Sequence, residues 1–337
     1  MKRKFEISVI MMVMLLLASC DGPDALLINI VGADGSVTRK VILTYTKDEF
    51  DLSDCQVPVD STWNITRNMD VSEEGDTTYS LTALKKFSSV DEINRSYAEY
   101  KGANPGMVRY AAFDKKFQWF HSRYRYTETV EKAIEGISPE NYFSEEQLDL
   151  FYMPEKLIDK MLEGPDSSKV KANLIEPMED KYDEWLGRSL VRALVNKILD
   201  TVAADPEIKI DTAVLRKREK EISASLVFSD MDQGQAIDTL MGQGFYLDNQ
   251  SLMDTLLSDI EEEFDVAFSA DDYIVQTDMP GELMSTNGYI DEDGKIIWKV
   301  NGDAILSSDY IMFAESRIRN TWAWIVTGAF VLFVISG

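Results

Sequence analysis

The sequence predicts an α+β fold, in which an antiparallel sheet domain is split by a helical insertion and each end of the chain carries an apolar segment. Two observations predict this arrangement of the domain. Short runs rich in β-branched residues occur within residues 20–135 and 270–318, and a helical period fills residues 138–268 between them. A lone C-terminal hairpin hardly folds by itself, so one interrupted sheet domain is a simpler interpretation than two domains in tandem.

The strands flank the helical block on both sides. Residues 26–31 and 37–45 should form a hairpin around a turn in which Gly35 supplies the positive φ. Residues 117–130 alternate cleanly and are predicted as one strand, with Tyr124 and Tyr126 on the face opposite His121 and Arg123. The other predicted elements are a hairpin from 63–66 to 79–84, a helix from 91 to about 102, a strand at 273–277, a hairpin from 288–290 to 295–300 and a strand at 310–318.

The insertion is predicted to be helical throughout. Its strongest helix covers residues 179–203, where a wide apolar stripe runs from Tyr182 to Val202. Burial of this stripe within the chain is favoured over contact with a partner, because each large apolar side chain contributes roughly 1.5–3 kcal/mol when buried. Further helices are predicted at residues 212–228, 232–242 and 251–268.

The N-terminus has the pattern of a lipoprotein signal. A basic start is followed by an apolar run at residues 7–17, and residues 17–20 (Leu-Ala-Ser-Cys) resemble a bacterial lipobox. Residues 1–19 are therefore predicted to be a signal peptide, and Cys20 is predicted to be acylated as an N-terminal lipid anchor. There are two alternatives: a secretory signal that happens to contain a cysteine, and an uncleaved N-terminal helix.

The C-terminal segment is predicted to be a transmembrane helix within residues 321–337. Residues 322–335 carry no charge; Trp322 and Trp324 are placed like an interfacial belt, and Phe330 and Phe333 lie deeper in the apolar run. Arg317 and Arg319 precede the segment, where they could reach lipid phosphates. The alternative is a buried terminal element of the sheet domain.

Composition limits the partners. The formal net charge of -25 disfavours contact with nucleic acid and with anionic headgroups. Membrane lipids, reached through the two anchors, are the expected partners, and an envelope protein is a second candidate. The predicted location is the inner membrane with the body in the periplasm; the acidic residues after Cys20 also resemble surface-export signals, so an outer-membrane or cell-surface lipoprotein is the alternative.

No catalytic set is recognisable in the sequence. His121 is the single histidine, which excludes a histidine-based zinc site or a Ser-His-Asp triad elsewhere. The acidic runs 230–234 and 291–294 lack the spacing of a calcium loop and are explained by a helix cap and a hairpin turn. We predict no cofactor and no metal. Cys55 is predicted to be a small buried side chain, and Thr77, in a polar turn after Asp76, is a candidate for O-glycosylation.

A family resemblance can be drawn from short motifs. The lipobox cysteine, the early hairpin, the Trp-Asn-Ile-Thr run at 63–66 and the Phe-Ser-Ser-Val-Asp-Glu run at 87–92 are similar to the LppM-like family of bacterial lipoproteins with a C-terminal membrane helix. The resemblance covers the flanking strands and implies an envelope α+β domain that contacts lipids or other envelope components. It carries over no catalytic residue.

The function expected from the sequence is a non-enzymatic binding or scaffold module held at the membrane. Two alternatives from other classes stay open. One is an envelope hydrolase that acts on lipid or glycan through acidic residues, and the other is a solute-binding lipoprotein on the cell surface.

Overall fold

The computed structural model describes residues 23–72, 75–100, 107–165, 167–204, 211–221, 233–268 and 272–337. The chain divides into two compact units. The β-rich unit contains Pro23–Val130, Asp272–Val300 and Tyr310–Gly337; the helical unit contains Glu131–Asp271 and Asn301–Asp309. The predicted mixture of helices and antiparallel strands is confirmed.

The first sheet of the β-rich unit has the strand order β3-β4-β2-β1-β7-β10-β9. Neighbouring strands are antiparallel except β1 and β7, which run parallel; a parallel pair needs a long crossover, and the chain between β1 and β7 is long enough to provide it. Its strands are β1 (Asp24–Val31), β2 (Val37–Tyr45), β3 (Asn64–Val71), β4 (Thr77–Phe87), β7 (Tyr273–Asp278), β9 (Tyr289–Ile290) and β10 (Ile296–Val300). Gly35 has a φ of 88° in the turn between β1 and β2, as the sequence predicted.

The second sheet has the order β5-β6-β11-β8, and its paired strands are antiparallel. Its strands are β5 (Arg109–Phe117), β6 (His121–Val130), β8 (Glu282–Thr286) and β11 (Tyr310–Arg319). A helix, α1 (Val90–Glu99), lies in sequence between β4 of the first sheet and the edge strand β5, and it is hydrogen-bonded to β5. Asn94 exchanges two hydrogen bonds with the backbone of Ala111, at 2.9 and 2.7 Å.

The inner faces of the two sheets form the core of this unit. In β1 and β2 every second side chain is buried, including Leu27, Val37, Val41 and Leu43, while the intervening residues are more exposed. This alternation is the pattern of a sheet that buries one face.

The helical unit is organised around one long helix. Its helices are α2 (Glu145–Tyr152), α3 (Glu155–Leu162), α4 (Ser167–Val170), α5 (Glu176–Ala204), α6 (Thr212–Glu221), α7 (Gln233–Met241), α8 (Phe245–Asp248), α9 (Gln250–Phe268) and α10 (Gly302–Ile305). A π-helical turn, Lys171–Ile175, leads into α5. The stripe on α5 is buried within the chain: Trp185 and Ile198 have no exposed surface, and they lie in two apolar clusters completed by residues of the other helices.

The structure differs from the predicted elements in three places. Residues 117–130 do not form one strand, because a turn at residues 118–120 separates β5 from β6, and β5 was therefore not predicted. The short edge strand β8 was not predicted either. Finally, residues 301–309, which lie between two strands of the β-rich unit, belong to the helical unit.

The predicted transmembrane helix is not supported. The terminal helix α11 (Thr321–Ser336) has 16 residues. At 1.5 Å per residue it is about 24 Å long, shorter than the ~30 Å hydrocarbon layer of a bilayer. Across the described ranges of the chain, no helix is both long enough and apolar enough to cross a membrane.

Candidate functional site

The terminal helix α11 presents apolar side chains in all directions. It contains no charged residue, and Ala323 is its buried residue. Eight of its large apolar side chains are at least half exposed: Trp322, Trp324, Ile325, Phe330, Leu332, Phe333, Val334 and Ile335. A helix that is apolar all round is normally enclosed by a protein core or by lipid. The described part of the chain provides no such cover for α11.

An aromatic collar surrounds the base of this helix. We use the term for five residues: Phe117, Trp119 and Phe120 at the β5–β6 turn, and Trp322 and Trp324 in the first turn of α11. Phe117 stacks on Trp322 with ring centroids 6.4 Å apart, and Trp119 meets Trp322 edge-on at 5.1 Å. Phe120 and Trp324 lie 4.4 Å apart. Trp119 and Phe117 are also about half exposed, so the collar combines mutual packing with a free outer surface.

Hydrogen bonds fix the helix to the hairpin. Asn320, which precedes α11, donates from its side-chain Nδ2 to the carbonyl oxygens of Gln118 at 2.7 Å and Trp119 at 3.2 Å. Its backbone N–H donates to the carbonyl oxygen of Phe120 at 2.9 Å. Trp119 Nε1 donates to the hydroxyl of Thr327 at 2.9 Å. The direction in which α11 leaves the sheet is therefore set by side chains and backbone together.

Two arginines and the single histidine lie next to this base, and the sequence had placed both arginines there. Arg319 is exposed at the end of β11, one residue before Asn320. Arg317 forms an ion pair with Glu282 at 2.9 Å. His121, the first residue of β6, is directly opposite Arg319. His121 is half-buried, and its Nε2 has no hydrogen-bond partner in the described part of the chain.

A buried network of charged and hydroxyl side chains lies between the two sheets, and it was not predicted from the sequence. Arg39 on β2 donates to Glu128 on β6 at 2.7 Å, and both side chains are at most 3% exposed. Tyr97 of α1 donates to Glu128 at 2.6 Å, and Tyr126 donates to the same carboxylate at 2.9 Å. Arg39 also donates to both hydroxyls, and Asn29 donates to Glu128 at 3.3 Å.

Glu128 stays ionised in this network. Burial by itself raises its pKa, but the adjacent Arg39 guanidinium and the two tyrosine hydroxyls outweigh that effect, so the pKa of Glu128 lies below its usual range. Burial, with the Glu128 charge nearby, raises the pKa of Tyr126 well above its ordinary value. The charges are matched and enclosed, which suits a role in holding the two sheets together rather than in turning over a substrate.

The remaining predicted sites are placed as follows. Cys20 lies outside the described residues, as does most of the acidic run 230–234. Thr77 is the first residue of β4 and is half-buried. Cys55 is buried, as predicted, and burial raises the pKa of its thiol to about 12, so it is not a thiolate at neutral pH. Asp291 accepts from the backbone N–H groups of Asp293 and Lys295, which is ordinary turn chemistry.

Within the described ranges, no group of three or more histidine, cysteine or acidic residues is arranged to hold a metal ion. Comparisons of the chain with protein-family models, with curated proteins and with solved structures gave no match.

Proposed function

We propose that this protein is a non-enzymatic binding or scaffold module of a bacterial cell envelope, held at a lipid bilayer by α11 and the aromatic collar. The observation that carries the proposal is the exposure of α11 on all sides: Phe330 and Phe333 on one face are 65% and 75% exposed, and Leu332, on the opposite face from Phe330, is 69% exposed. A protein groove covers one side of a helix, whereas hydrocarbon covers every side. Lipid is therefore the occupant that fits an all-round apolar surface best.

The collar supports the same proposal. Tryptophan rings favour the boundary between water and hydrocarbon, because they combine a large apolar surface with one N–H donor. Trp322 and Trp324 lie at the start of α11 and Trp119 beside it, so these rings would mark the depth at which the sheet stops and the bilayer begins. Acylation of Cys20, if the lipobox is used, would add a second attachment to the same bilayer.

The hydrolase alternative finds less support among the described residues, because the two carboxylates that share a pocket, Asp114 and Glu315, each form an ion pair with a neighbouring cation. Such an enzyme would need two accessible carboxylates in one pocket. Glu128 and Glu219 are the buried carboxylates of the described residues, and they lie in different units. Glu128 is engaged by Arg39 and Glu219 by Arg192 and Arg216.

Vesicle flotation tests the proposal. Residues 21–337, produced without the signal and without an acyl group, should float with vesicles of a zwitterionic phospholipid. The double variant Phe330→Asp/Phe333→Asp should lose this binding by at least ~100-fold, since each aspartate in hydrocarbon costs about 2.5–3.5 kcal/mol.

The matched control is Met69→Asp/Leu247→Asp, which adds the same two charges at exposed apolar positions outside α11. It should bind like the unmodified chain. Flotation of the Phe330/Phe333 variant at full strength would refute the proposal. A chain that stays in solution as an oligomer disrupted by this variant would identify a second copy, rather than lipid, as the occupant.

A further inference from the structure

The outer face of the second sheet carries a concentration of cations where it meets α11. Every second side chain along a strand lies on the same face of the sheet, and residues directly opposite each other on neighbouring strands share that face. The register places Lys116 opposite Arg123, Arg123 opposite Arg317, and His121 opposite Arg319. Lys116, Arg123, Arg317 and Arg319 therefore lie in the two cross-strand rows nearest the base of the helix. We call these four residues the basic rows.

The charge of the basic rows contrasts with the rest of the chain. The protein has a formal net charge of -25, with 59 acidic against 34 basic residues. In the two rows, Glu282 is the acidic residue that the pairing places beside Arg317. The next row inward contains Asp114, Arg125 and Glu315, so the excess of positive charge is confined to the end of the sheet next to α11.

Three of the four cations, Lys116, Arg123 and Arg319, are available to an outside ligand. Arg319 is exposed and has no ion-pair partner within the described part of the chain. The side chain of Lys116 is 74% exposed and reaches Asp114 at 3.7 Å, and Arg123 reaches Glu315 at the same long distance. Exposed pairs at such distances contribute little and exchange partners readily. A small open pocket lies between these residues; its charged lining consists of Lys116, Arg123 and Arg125 with Asp114 and Glu315.

The position of the rows matches the depth of lipid headgroups. Successive rows on one face of a strand are about 7 Å apart, and the headgroup layer is roughly 5–8 Å thick on each side of the hydrocarbon. With the collar at the boundary of the hydrocarbon, Arg319 falls at the level of the phosphates and Lys116, Arg123 and Arg317 fall at or just outside them.

We propose that the basic rows bind the headgroups of anionic phospholipids and so give the protein a preference for negatively charged bilayers. This inference rests on the proposed membrane attachment through α11 and adds the lipid class to it. The rows place positive charge beside α11, and this charge attracts an anionic surface although the chain as a whole is acidic. The general repulsion expected from the net charge is thereby overcome locally.

Binding to two kinds of vesicle separates the two proposals. The chain of residues 21–337 is titrated with vesicles of phosphatidylcholine alone and with vesicles that contain one quarter phosphatidylglycerol. We expect binding at least tenfold tighter to the anionic vesicles, since each Lys or Arg near an anionic surface contributes roughly fivefold. The preference should weaken at 0.5 M salt.

The test variant is Lys116→Gln/Arg123→Gln/Arg317→Gln/Arg319→Gln. It should lose the preference for anionic vesicles and still bind phosphatidylcholine vesicles through α11. The control, Arg67→Gln/Lys156→Gln/Lys171→Gln/Lys220→Gln, removes the same charge from exposed positions elsewhere and should keep the preference. Unchanged melting temperatures show that both variants are folded.

The outcomes are distinct. Loss of the preference in both variants would make it an effect of net charge, and retention in both would leave the basic rows without a role; either result overturns the inference. Release of the chain from anionic vesicles by millimolar glycerol phosphate would also overturn the inference, since free phosphate would then be the ligand of the basic rows. Failure to bind either kind of vesicle would instead refute the proposed membrane attachment.

Discussion

Trp119 donates a hydrogen bond from its indole Nε1 to the hydroxyl of Thr327, at 2.9 Å, although the two residues are 208 positions apart in the chain. The first belongs to the turn between β5 and β6 and the second to α11. Together with the bonds made by Asn320, this contact makes the helix a continuation of the sheet rather than a loosely attached tail.

We expect Asn320→Ala to loosen this junction. The substitution removes the two bonds from Nδ2 to the carbonyl oxygens of Gln118 and Trp119, and a net contribution of about 1 kcal/mol for each predicts a loss of about 1–2 kcal/mol in unfolding free energy. Urea unfolding and hydrogen exchange at residues 118–122 measure the effect. Asn68→Ala, on the exposed strand β3, is the control and should change neither. Equal protection in both variants would mean that the junction is held by ring packing alone.

Removing one member of the Arg39–Glu128 pair should be costly. Glu128→Leu leaves the guanidinium of Arg39 buried without its counter-charge, and a loss of about 3–5 kcal/mol is expected. The double variant Arg39→Met/Glu128→Leu should recover most of this stability, because no uncompensated charge then remains. Chemical denaturation of the four proteins in the cycle gives the coupling. Strictly additive losses would argue against direct pairing.

The same pair predicts a pH dependence. The pKa of Glu128 is lower in the folded protein than in the unfolded chain, where a glutamate titrates at about 4.3. The stability that comes from ionised Glu128 is therefore present above about pH 4.3 and is lost as the pH falls through the lower, folded-state pKa. Urea midpoints of the wild type and Glu128→Gln should converge in this acidic range. A constant difference between pH 6 and pH 3 would contradict the assignment.

Trp185→Asp should unfold the helical unit. Trp185 has no exposed surface and packs against Phe143, Phe151 and Tyr182, so a carboxylate there has neither room for water nor a partner. Loss of the tertiary circular dichroism signal and a lowered melting temperature are the expected results. Asp183→Ala, at an exposed position of the same helix, should melt like the wild type. An unchanged melt with a changed oligomer mass would show that the stripe on α5 serves association instead.

The sequence predicted elements best where local rules decide them. The β1–β2 hairpin follows from alternation and from Gly35, and α5 follows from its apolar stripe. β5 was missed because its outer half carries Asp114, Lys115 and Lys116, which interrupt the apolar pattern. Two features have no local signal in the sequence: the parallel pairing of β1 with β7, and the assignment of residues 301–309 to the helical unit.

The candidate site was predicted in part for the same reason. An uncharged run with tryptophans at its start is visible in the sequence, so Trp322, Trp324, Phe330 and Phe333 were identified. The other half of the collar comes from a turn that the alternating pattern concealed, and the pairing of β6 with β11, which the sequence does not reveal, brings that turn next to α11. The network of Arg39, Tyr97 and Glu128 brings together residues 31 to 89 positions apart, which periodicity cannot associate.

The tryptophans of the chain allow a direct measurement of membrane contact. Of the six, Trp63, Trp185 and Trp298 are buried, whereas Trp119, Trp322 and Trp324 belong to the collar and are about half exposed. Bromine atoms attached to lipid chains quench tryptophan fluorescence on contact. Quenching therefore reports contact between the tryptophans of the collar and the lipid, and the emission of the three buried tryptophans serves as an internal reference.

Fluorescence should be recorded with vesicles brominated near the headgroup end of the acyl chains and with vesicles brominated near the bilayer centre. If α11 enters the hydrocarbon up to the collar, shallow bromines should quench about half of the emission, deep bromines should quench clearly less, and aqueous iodide should lose access to the collar. Trp322→Phe/Trp324→Phe should remove most of the quenching. Equal emission with both brominated vesicles and with unbrominated ones would contradict attachment of this protein to a bilayer through α11.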